Sequence, residues 1–458
     1  MGRSLLKASA SSSREEDMLA YRADLVSDTN PTLTKSFYFA IEGNIVLRPV
    51  TNCDFLVLSS VFYAMRHSHD LFIEGAVSTD LLVNIKEFQA VWTTWLPETY
   101  TPIQISAQHE MIGDAPTERN AVAACSGGVD ATFSMIQHAT GRAGRRNCNL
   151  AAAVLVHGFD LPITHHEAFS LARQRAQHIT KELGVPLSVV RTNHRDSVVG
   201  DEHWENEFHA SLVAALSLFS PLANYGIISI DRDYNNLAFP WGSNPITNAM
   251  LSANQFQIAS DGAAATRPQK VSLISKHPGI ADNIRVCWEG PLTGNNCGKC
   301  EKCLRTQLNF LVTGSPLPRH LGSTPSLLQL PRMRIKSRIQ LQYLEQNVRH
   351  AAAQPDALVS ARTLRAIIVW HALRYRLSGH FLVRKTRRLL HKLIRRARRW
   401  KRQQREYIAR QGEQSFPGQL LSFPADGPPR FTPTDIDRLR RHLAIVLLPH
   451  LLDCRSAL

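Results

Sequence analysis

Between about residues 119 and 235, short apolar segments alternate with longer segments of helical periodicity, and this alternation restricts the chain to few folds. The apolar segments predict four strands, at Asn120–Ala124, Ala151–Val156, Leu187–Val190 and Gly226–Ile230. The segments between them predict helices at Ala131–His138, Thr164–Leu183 and Ala210–Phe219. Apolar strands that alternate with helices indicate an α/β fold whose parallel sheet is covered on both faces.

A glycine-rich loop, Ser126-Gly127-Gly128-Val129-Asp130, joins the first predicted strand to the first predicted helix. Adjacent glycines allow a tight turn that presents N–H groups to an anion, and a helix N-terminus adds partial positive charge. Ser126 offers a hydroxyl, whereas the acceptor-only Asp130 is expected to hold Mg²⁺ or to fix the loop. An ordinary glycine turn has the same letters, so the phosphate-binding prediction depends on the strand–loop–helix context.

The loop reads S-G-G-V-D-A-T and resembles the S-G-G-x-D-S signature of the PP-loop ATP pyrophosphatase superfamily, with Ala131 at the final serine. The segment Glu182–Pro186 is similar to the L-G-x-P turn of the same superfamily. The resemblance covers about residues 119–235 and implies a Rossmann-like parallel sheet of the PP-loop (HUP) type. It also implies that ATP is cleaved to AMP and pyrophosphate, and that the AMP activates a substrate oxygen for displacement by nitrogen or sulfur.

The same resemblance implies a nucleotide site with ATP and Mg²⁺ as cofactors. The phosphates would contact Ser126, Gly127, Gly128, Val129, Asp130 and Thr132, and the adenosine would contact Val156, His157 and Gly158. Phosphoryl chemistry needs charge stabilisation more than side-chain bases. Arg267 and Lys270 are therefore candidate catalytic residues that would clamp pyrophosphate. Ser126 and Asp130 are the other two catalytic candidates. The alternative is that Arg267 and Lys270 are both surface charges at the start of a helix.

Four cysteines, Cys287, Cys297, Cys300 and Cys303, lie within seventeen residues. Thiolates bind Zn²⁺ tetrahedrally, and C-x-x-C spacing lets neighbouring ligands reach one ion. Gly298 permits the tight turn of a zinc knuckle, and Leu304–Leu311 is predicted to be helical. Four protein ligands fill the coordination shell, so we expect structural zinc, with an iron–sulfur cluster as the alternative.

This cluster is similar to the cysteine knuckle of the 7-cyano-7-deazaguanine synthase family, in which a C-G-x-C-x-x-C element follows the nucleotide domain and holds zinc. The chain departs from that family in its greater length, its N-terminal region and its basic C-terminal region. The segment Phe239–Thr247 is also outside the family's usual pattern. The resemblance therefore extends to the ATP chemistry and to zinc, and the substrate stays open.

The segment Phe239–Thr247 has two interpretations. It could bind substrate, with Trp241 as a stacking face and with Asn244 and Thr247 as hydrogen-bonding groups. It could equally be a packed turn built around Pro240 and its neighbouring glycine and proline.

The formal net charge of +15 is concentrated in one segment, residues 384–410, which holds thirteen Lys or Arg and one Glu. Apolar residues recur there at helical spacing, so the segment predicts a basic amphipathic helix. Such a helix could bind RNA or another polyanion, could lie on an anionic membrane surface, or could be solvated and packed on the core.

The remaining sequence completes a four-part prediction. Residues 1–30 read as a disordered tail, and residues 31–115 as a small α+β domain. That domain has a hairpin around Glu42-Gly43-Asn44 and a helix at Cys53–Met65. Residues 116–315 form the PP-loop ATP-binding domain with its zinc knuckle, and residues 316–458 a helical, basic region. With no apolar run of roughly 18 residues and no secretory signal, we expect no transmembrane segment and a cytoplasmic location.

Three functions follow from these features. The first is an ATP-dependent ligase or amidating enzyme that acts on a small-molecule carboxylate or carbonyl. The second is a tRNA-modifying PP-loop enzyme, for example a thiolase with Cys125 as its catalytic cysteine and the basic segment as its RNA contact. The third is a nucleotide-binding protein without catalytic activity.

Overall fold

The computed structural model describes residues 4–15, 18–43, 45–287, 292–322, 325, 329–353 and 358–377. Residues up to Ala366 form one compact unit, and a second unit begins at Ile367. The sheet, the glycine-rich loop and the cysteine cluster all belong to the first unit. The basic segment 384–410 lies outside the described residues. None of the described helices is both long and apolar enough to cross a membrane.

Ten strands form a single sheet in the order β10-β9-β6-β7-β8-β3-β2-β1-β4-β5. Most neighbouring pairs are parallel, and the antiparallel pairs are β1–β2, β2–β3 and β3–β8. The strands are β1 (Leu5–Glu15), β2 (Met18–Ser27), β3 (Lys35–Glu42), β4 (Asp70–Ser78), β5 (Ile105–Met111), β6 (Asn120–Ala124), β7 (Asn149–His157), β8 (Leu187–Thr192), β9 (Tyr225–Ser229) and β10 (Gln257–Asp261).

Eleven α-helices accompany the sheet within the described residues. They are α1 (Asp54–His67), α2 (Thr79–Trp95), α3 (Val129–Ala139), α4 (His166–Glu182), α5 (Trp204–Ser217), α6 (Pro245–Ala249), α7 (Arg267–Ile274), α8 (Pro278–Ala281), α9 (Glu301–Val312), α10 (Arg338–Ala353) and α11 (Ala361–Leu377). The predicted helices at 53–65, 131–138, 164–183, 210–219 and 304–311 are confirmed as α1, α3, α4, α5 and α9.

The helices cover both faces of the sheet, and each face has its own apolar core. One core contains side chains of α1, α2 and α5, such as Leu56, Ile85 and Val213. The other contains side chains of α3, α4, α7 and α9, such as Ile136 and Phe310. Strands β6–β10 pair in parallel between these layers. The prediction of an α/β fold is confirmed, and the predicted parallel sheet covered on both faces is found in β6–β10, within a larger sheet that is only mostly parallel.

The N-terminal residues are not a disordered tail. Residues 5–15 and 18–27 form β1 and β2, which pair along their whole length. The second half of β2 shows a period of two. Buried Tyr21, Ala23 and Leu25 alternate there with exposed residues 22, 24 and 26. That period of two was readable in the sequence, but the serine-rich polar half of β1 has no matching apolar pattern.

Residues 31–115 do not form a separate α+β domain. Strand β3 pairs with β8 of the predicted nucleotide domain, with Ile41 opposite Val190, so one sheet crosses the expected boundary. The predicted hairpin around Gly43 is also wrong, because residues 45–48 form no strand and β3 instead lies between β2 and β8. The glycine at position 43 suggested a local turn, but β3 instead pairs with β8, which is about 150 residues away in the sequence.

Candidate functional site

The glycine-rich loop lies at the point where the connections of the parallel sheet reverse direction. After β6 the chain continues to β7 on one side, whereas β9 pairs with β6 on the other side. The order β8-β7-β6-β9-β10 corresponds to the 3-2-1-4-5 arrangement of doubly wound sheets. In such sheets ligands bind beyond the carboxyl ends of the strands at this reversal, where residues 126–130 follow β6.

The loop is only partly open to solvent, because Gly127 and Val129 are buried. Ser126 is exposed, and its Oγ accepts a hydrogen bond of 3.3 Å from the Gly128 amide. Gly127 has a φ of +71°, in the left-handed region that favours glycine. Helix α3 begins at Val129, and the first N–H groups of a helix have no acceptor within it. N–H groups at such a helix start are able to bind an anion.

The next residues along α3 are less available. Thr132 is fully buried, and its hydroxyl has no hydrogen-bond partner among the described residues. Ala131 is buried as well. The expected phosphate contact of Thr132 therefore does not fit this arrangement, because the hydroxyl is enclosed by protein.

Asp130 forms a double ion pair with the two predicted clamps. Its Oδ2 lies 2.7 Å from Nη1 of Arg267, and its Oδ1 lies 2.9 Å from Nζ of Lys270. Nζ of Lys270 also donates to the Ile230 carbonyl, at 2.6 Å. Arg267 and Lys270 are 4% and 1% exposed, so the interpretation as surface charges is wrong. The structure instead brings three predicted site residues into one cluster.

Burial alone would raise the pKa of Asp130, but the charges of Lys270 and Arg267 outweigh it and hold that pKa well below its ordinary value. Asp130 is therefore a carboxylate at neutral pH. Taken by themselves, Asp130, Arg267 and Lys270 carry a formal charge of +1. Nε and Nη2 of Arg267 have no hydrogen-bond partner among the described residues. These unpaired donors lie in the same cluster as the loop's aspartate.

Helix α7 presents both cations, and its start is fixed locally. Oε1 of Gln269 accepts a hydrogen bond of 2.8 Å from the Thr266 amide, as in a capping box. Pro268, in the first turn, has no N–H that would need an acceptor. Arg267 and Lys270 are three residues apart and therefore lie on the same side of the helix, facing Asp130.

Sequence reasoning missed the segment that follows β9. The guanidinium carbon of Arg232 lies 4.7 Å from the centroid of the Trp241 ring. Nε1 of Trp241 donates to Oδ1 of Asp231, at 3.3 Å. Because β9 is the other strand of the reversal, this segment borders the same carboxyl edge as the loop. The sequence carries only a weak signal for this segment, because a run such as Asp-Arg-Asp at residues 231–233 is common on protein surfaces.

Helix α10, which we expected in a separate C-terminal region, also contributes here. The hydroxyl of Tyr343 lies 3.4 Å from Oδ2 of Asp231, and Gln346 donates to Oδ2 of Asp233. The guanidinium of Arg305, on α9, lies 4.0 Å from the Tyr343 ring centroid. Residues 338–353 therefore belong to the compact unit that holds the loop, so the expected boundary at residue 316 is not observed.

The segment Phe239–Thr247 fits the packed-turn interpretation better than the substrate-loop interpretation. Asn244 is fully buried, and its Oδ1 accepts from the Ile246 amide at 3.0 Å as the N-cap of α6. Thr247 is buried too. Trp241 is half-buried against Arg232, and Phe239 remains half-exposed. The polar groups proposed for substrate are thus used within the turn.

The expected adenosine site, Val156–Gly158, lies at the carboxyl end of β7, but the His157 side chain is not free to bind. It is fully buried, its ring stacks on Phe169 at 4.0 Å, and Nε2 lies 3.1 Å from the Pro162 carbonyl oxygen. Burial lowers the pKa of His157 to about 4, so the ring is neutral at pH 7. Any contact of His157 with a nucleotide would therefore come from its main chain.

Cys125, the candidate nucleophile for thiolation, is buried directly before the loop. Burial raises its pKa to about 12, which keeps it a thiol at neutral pH. The thiolate is the reactive form of cysteine. The position and environment of Cys125 therefore suit a packing role.

The four clustered cysteines come together in the fold. Their Sγ atoms all lie within 4.8 Å of one another, with Cys287–Cys300 at 3.8 Å and Cys297–Cys303 at 3.9 Å. A tetrahedron with metal–sulfur bonds of about 2.3 Å has edges of about 3.8 Å. The cluster therefore has the size of a four-thiolate site for one metal ion such as zinc.

Main-chain geometry supports this arrangement. Gly298 has a φ of +67°, which allows the turn between Cys297 and Cys300, and the Cys300 amide donates to Sγ of Cys297 at 3.3 Å. The hydrogen bond between Cys300 and Cys303 lowers the pKa of Cys300 to about 5 and raises the pKa of Cys303, so Cys300 is the thiolate of this pair, and thiolate is the metal-binding form. Cys300 is also the N-cap residue of α9, so the cluster fixes where that helix begins.

Comparison of the chain with protein-family models, with curated proteins and with solved structures finds no match.

Proposed function

We propose that the protein binds ATP at residues 126–130 and uses it to adenylate an oxygen of a small-molecule carboxylate or carbonyl, with release of pyrophosphate. The supporting observation is the position of the glycine-rich loop at the reversal point of a parallel sheet. This is the place where open α/β sheets bind nucleotides and other ligands. The sequence resemblance to PP-loop enzymes supplies the reaction type.

In this proposal the loop amides and the Ser126 hydroxyl hold the phosphates, and Arg267 and Lys270 stabilise the charge that develops on pyrophosphate. Bound ATP supplies the AMP group that activates the substrate. The two cations are held in place by Asp130, so little reorganisation is needed when charge develops.

Asp130 does not fit the expected role as a direct Mg²⁺ ligand. Each of its two oxygens is already within 3 Å of a cationic nitrogen, at 2.7 and 2.9 Å. A divalent ion at the same carboxylate would meet repulsion from both side chains. We therefore assign Asp130 to holding Arg267 and Lys270, the loop-fixing role that the sequence also allowed.

The cysteine cluster is proposed to hold zinc in a structural role. Four thiolates fill a tetrahedral shell and leave no open position for a substrate. Iron would also accept four thiolates, so metal analysis of the purified protein distinguishes the two. One zinc and no iron per chain is the expected result.

The test of the proposed activity is a screen of small carboxylates for conversion of ATP to AMP and pyrophosphate by the full chain. Ser126→Ala should lower turnover by at least about tenfold, because it removes a donor to the phosphates. Ser11→Ala, on the exposed polar half of β1, is the matched control and should behave as wild type. Formation of ADP, or full turnover by Ser126→Ala, would contradict the proposal.

A further inference from the structure

A short segment of main chain joins the glycine-rich loop to the cysteine cluster. The amide of Arg285 donates a hydrogen bond of 2.7 Å to the carbonyl oxygen of Gly127. Two residues later, Cys287 supplies the first sulfur of the cluster. The middle of the loop and a candidate metal ligand are therefore separated by only a few covalent bonds and one hydrogen bond.

The loop also lies beside this segment. A Cβ placed on Gly127 would lie 3.9 Å from Cβ of Arg285, and one placed on Gly128 would lie 3.7 Å from the Arg285 carbonyl oxygen. These are ordinary van der Waals distances. The Arg285 main chain therefore lies beside both glycines, and its displacement would remove the hydrogen bond that it donates to the loop.

The other side of the segment is fixed by the turn that carries the cysteines. Oδ1 of Asn296 accepts from the amides of Val286 and Cys287, at 2.8 and 3.2 Å. Nδ2 of Asn296 donates to the carbonyl oxygen of Ile284, at 3.0 Å. Asn296 precedes Cys297, so one side chain ties the Arg285 segment to the second ligand of the cluster.

A metal ion at the cluster would strengthen this connection. It would link Cys287 to Cys297, Cys300 and Cys303, whose Sγ atoms already lie within 4.8 Å of it. Without the ion, the segment keeps its hydrogen bonds and the burial of Ile284 and Val286 in the core, but it loses the link between Cys287 and the other three cysteines. Because a flexible loop loses main-chain entropy when it is ordered, a less restrained loop binds phosphate more weakly.

We infer that the four-cysteine metal centre positions the phosphate-binding loop through the main chain of Arg285, so that metal occupancy and loop order are coupled. Arg285 is the positioning residue, and it acts through its amide. The identity of the ligand that the loop binds rests on the proposed function. The coupling between metal occupancy and loop order does not depend on which ligand binds.

The first test is hydrogen–deuterium exchange of the full chain with its metal bound and after removal by a chelator. Loop exchange is followed at the Thr132 amide, whose hydrogen bond to the Gly128 carbonyl oxygen depends on the conformation of the loop. This amide, and that of Arg285 itself, should exchange at least about tenfold faster without metal, because the hydrogen bond from Arg285 to Gly127 is lost. Amides of β1 and β2, which are distant in the sheet order, should be unchanged. Unchanged exchange of the loop would overturn the inference.

Arg285→Pro tests the same connection with the metal in place, in case metal removal unfolds the protein. Proline has no N–H and therefore cannot donate to Gly127, while all four cysteines and Asn296 remain. The variant should keep its metal content and show fast exchange of the loop. Arg285→Ala keeps the amide and is the matched control, with wild-type exchange even if loss of the guanidinium weakens anion binding.

Nucleotide affinity gives a readout that separates this inference from the proposed function. If wild type binds ATP or pyrophosphate, Arg285→Pro should bind it at least about tenfold more weakly, and saturating ATP should slow metal release to a chelator. If metal-loaded wild type binds neither ligand, the proposed function is wrong. Loop exchange in Arg285→Pro then still decides the coupling, and wild-type exchange in that variant would refute it.

Discussion

Asp130 shows how one side chain organises the candidate site. It follows the glycines of the loop and pairs with both Arg267 and Lys270, which are nearly inaccessible to solvent. Burying a cation without a paired anion costs free energy of folding. The Asp130 carboxylate therefore allows two buried cations to lie beside the loop. The same side chain thereby links the start of α3 to the start of α7.

Asp130→Asn is expected to destabilise the protein by about 3–5 kcal/mol, because it leaves two buried cations without their anion. The free energy of unfolding in urea measures this change. Asp114→Asn, at an exposed position in the connection before β6, is the matched control and should change stability little. Equal stability of Asp130→Asn and wild type would show that the ion pairs contribute nothing.

The low pKa of Asp130 also predicts a pH dependence. A carboxyl group whose folded-state pKa lies below its ordinary value of 3.8 stabilises the fold fully above that value. The contribution is lost as the pH falls below about 4 and approaches the folded-state pKa. The stability difference between wild type and Asp130→Asn should therefore be greatest near neutral pH and should narrow on acidification. A difference that widens in acid would contradict the assignment.

At the scale of elements, the carboxyl ends of β7 and β8 approach so closely that a side chain cannot fit between them. Gly158 has a φ of +107°, and a Cβ placed on it would lie 1.8 Å from the carbonyl oxygen of Thr192. The residue thus provides both an unusual backbone conformation and a close contact between two chain segments.

Gly158→Ala should destabilise the protein by more than the roughly 1–3 kcal/mol of a strained backbone position, because the two segments must also separate. Gly141→Ala is the matched control. Gly141 has a φ of +71° but meets no atom within 4 Å, so only the backbone cost applies. Thermal unfolding of the two variants separates strain from crowding. A smaller effect at Gly158 than at Gly141 would be inconsistent with the contact.

At the scale of the molecule, the continuous sheet joins regions that the sequence suggested were separate domains. The joint is β3–β8, where Phe39 lies opposite Thr192 and Glu42 opposite Val189. Side chains from both regions, including Phe39, Phe55 and Val154, also share one apolar core. Neither region can therefore lose its structure without exposing apolar surface of the other.

This continuity predicts that strands on the two sides of the joint unfold together. In hydrogen exchange of the full chain at increasing urea concentration, amides of β2 and β7 should lose protection in one transition. Independent domains, as the sequence suggested, would give two transitions. The measurement is insensitive to the behaviour of residues outside the first unit, because each peptide is followed separately.

Local patterns in the sequence determined strands β6 to β9, the helices between them, the glycine-rich loop and the cysteine cluster, whereas β10 was not predicted. Each of these depends on residues close together in the chain: apolar runs, turn-forming glycines and cysteine spacing. Only the tertiary structure decided that β3 joins β8, that Arg267 and Lys270 meet Asp130, and that α10 lies against the segment after β9. The partners in these contacts are more than 100 residues apart, and local periodicity carries no information about which distant strand or charge a residue will meet.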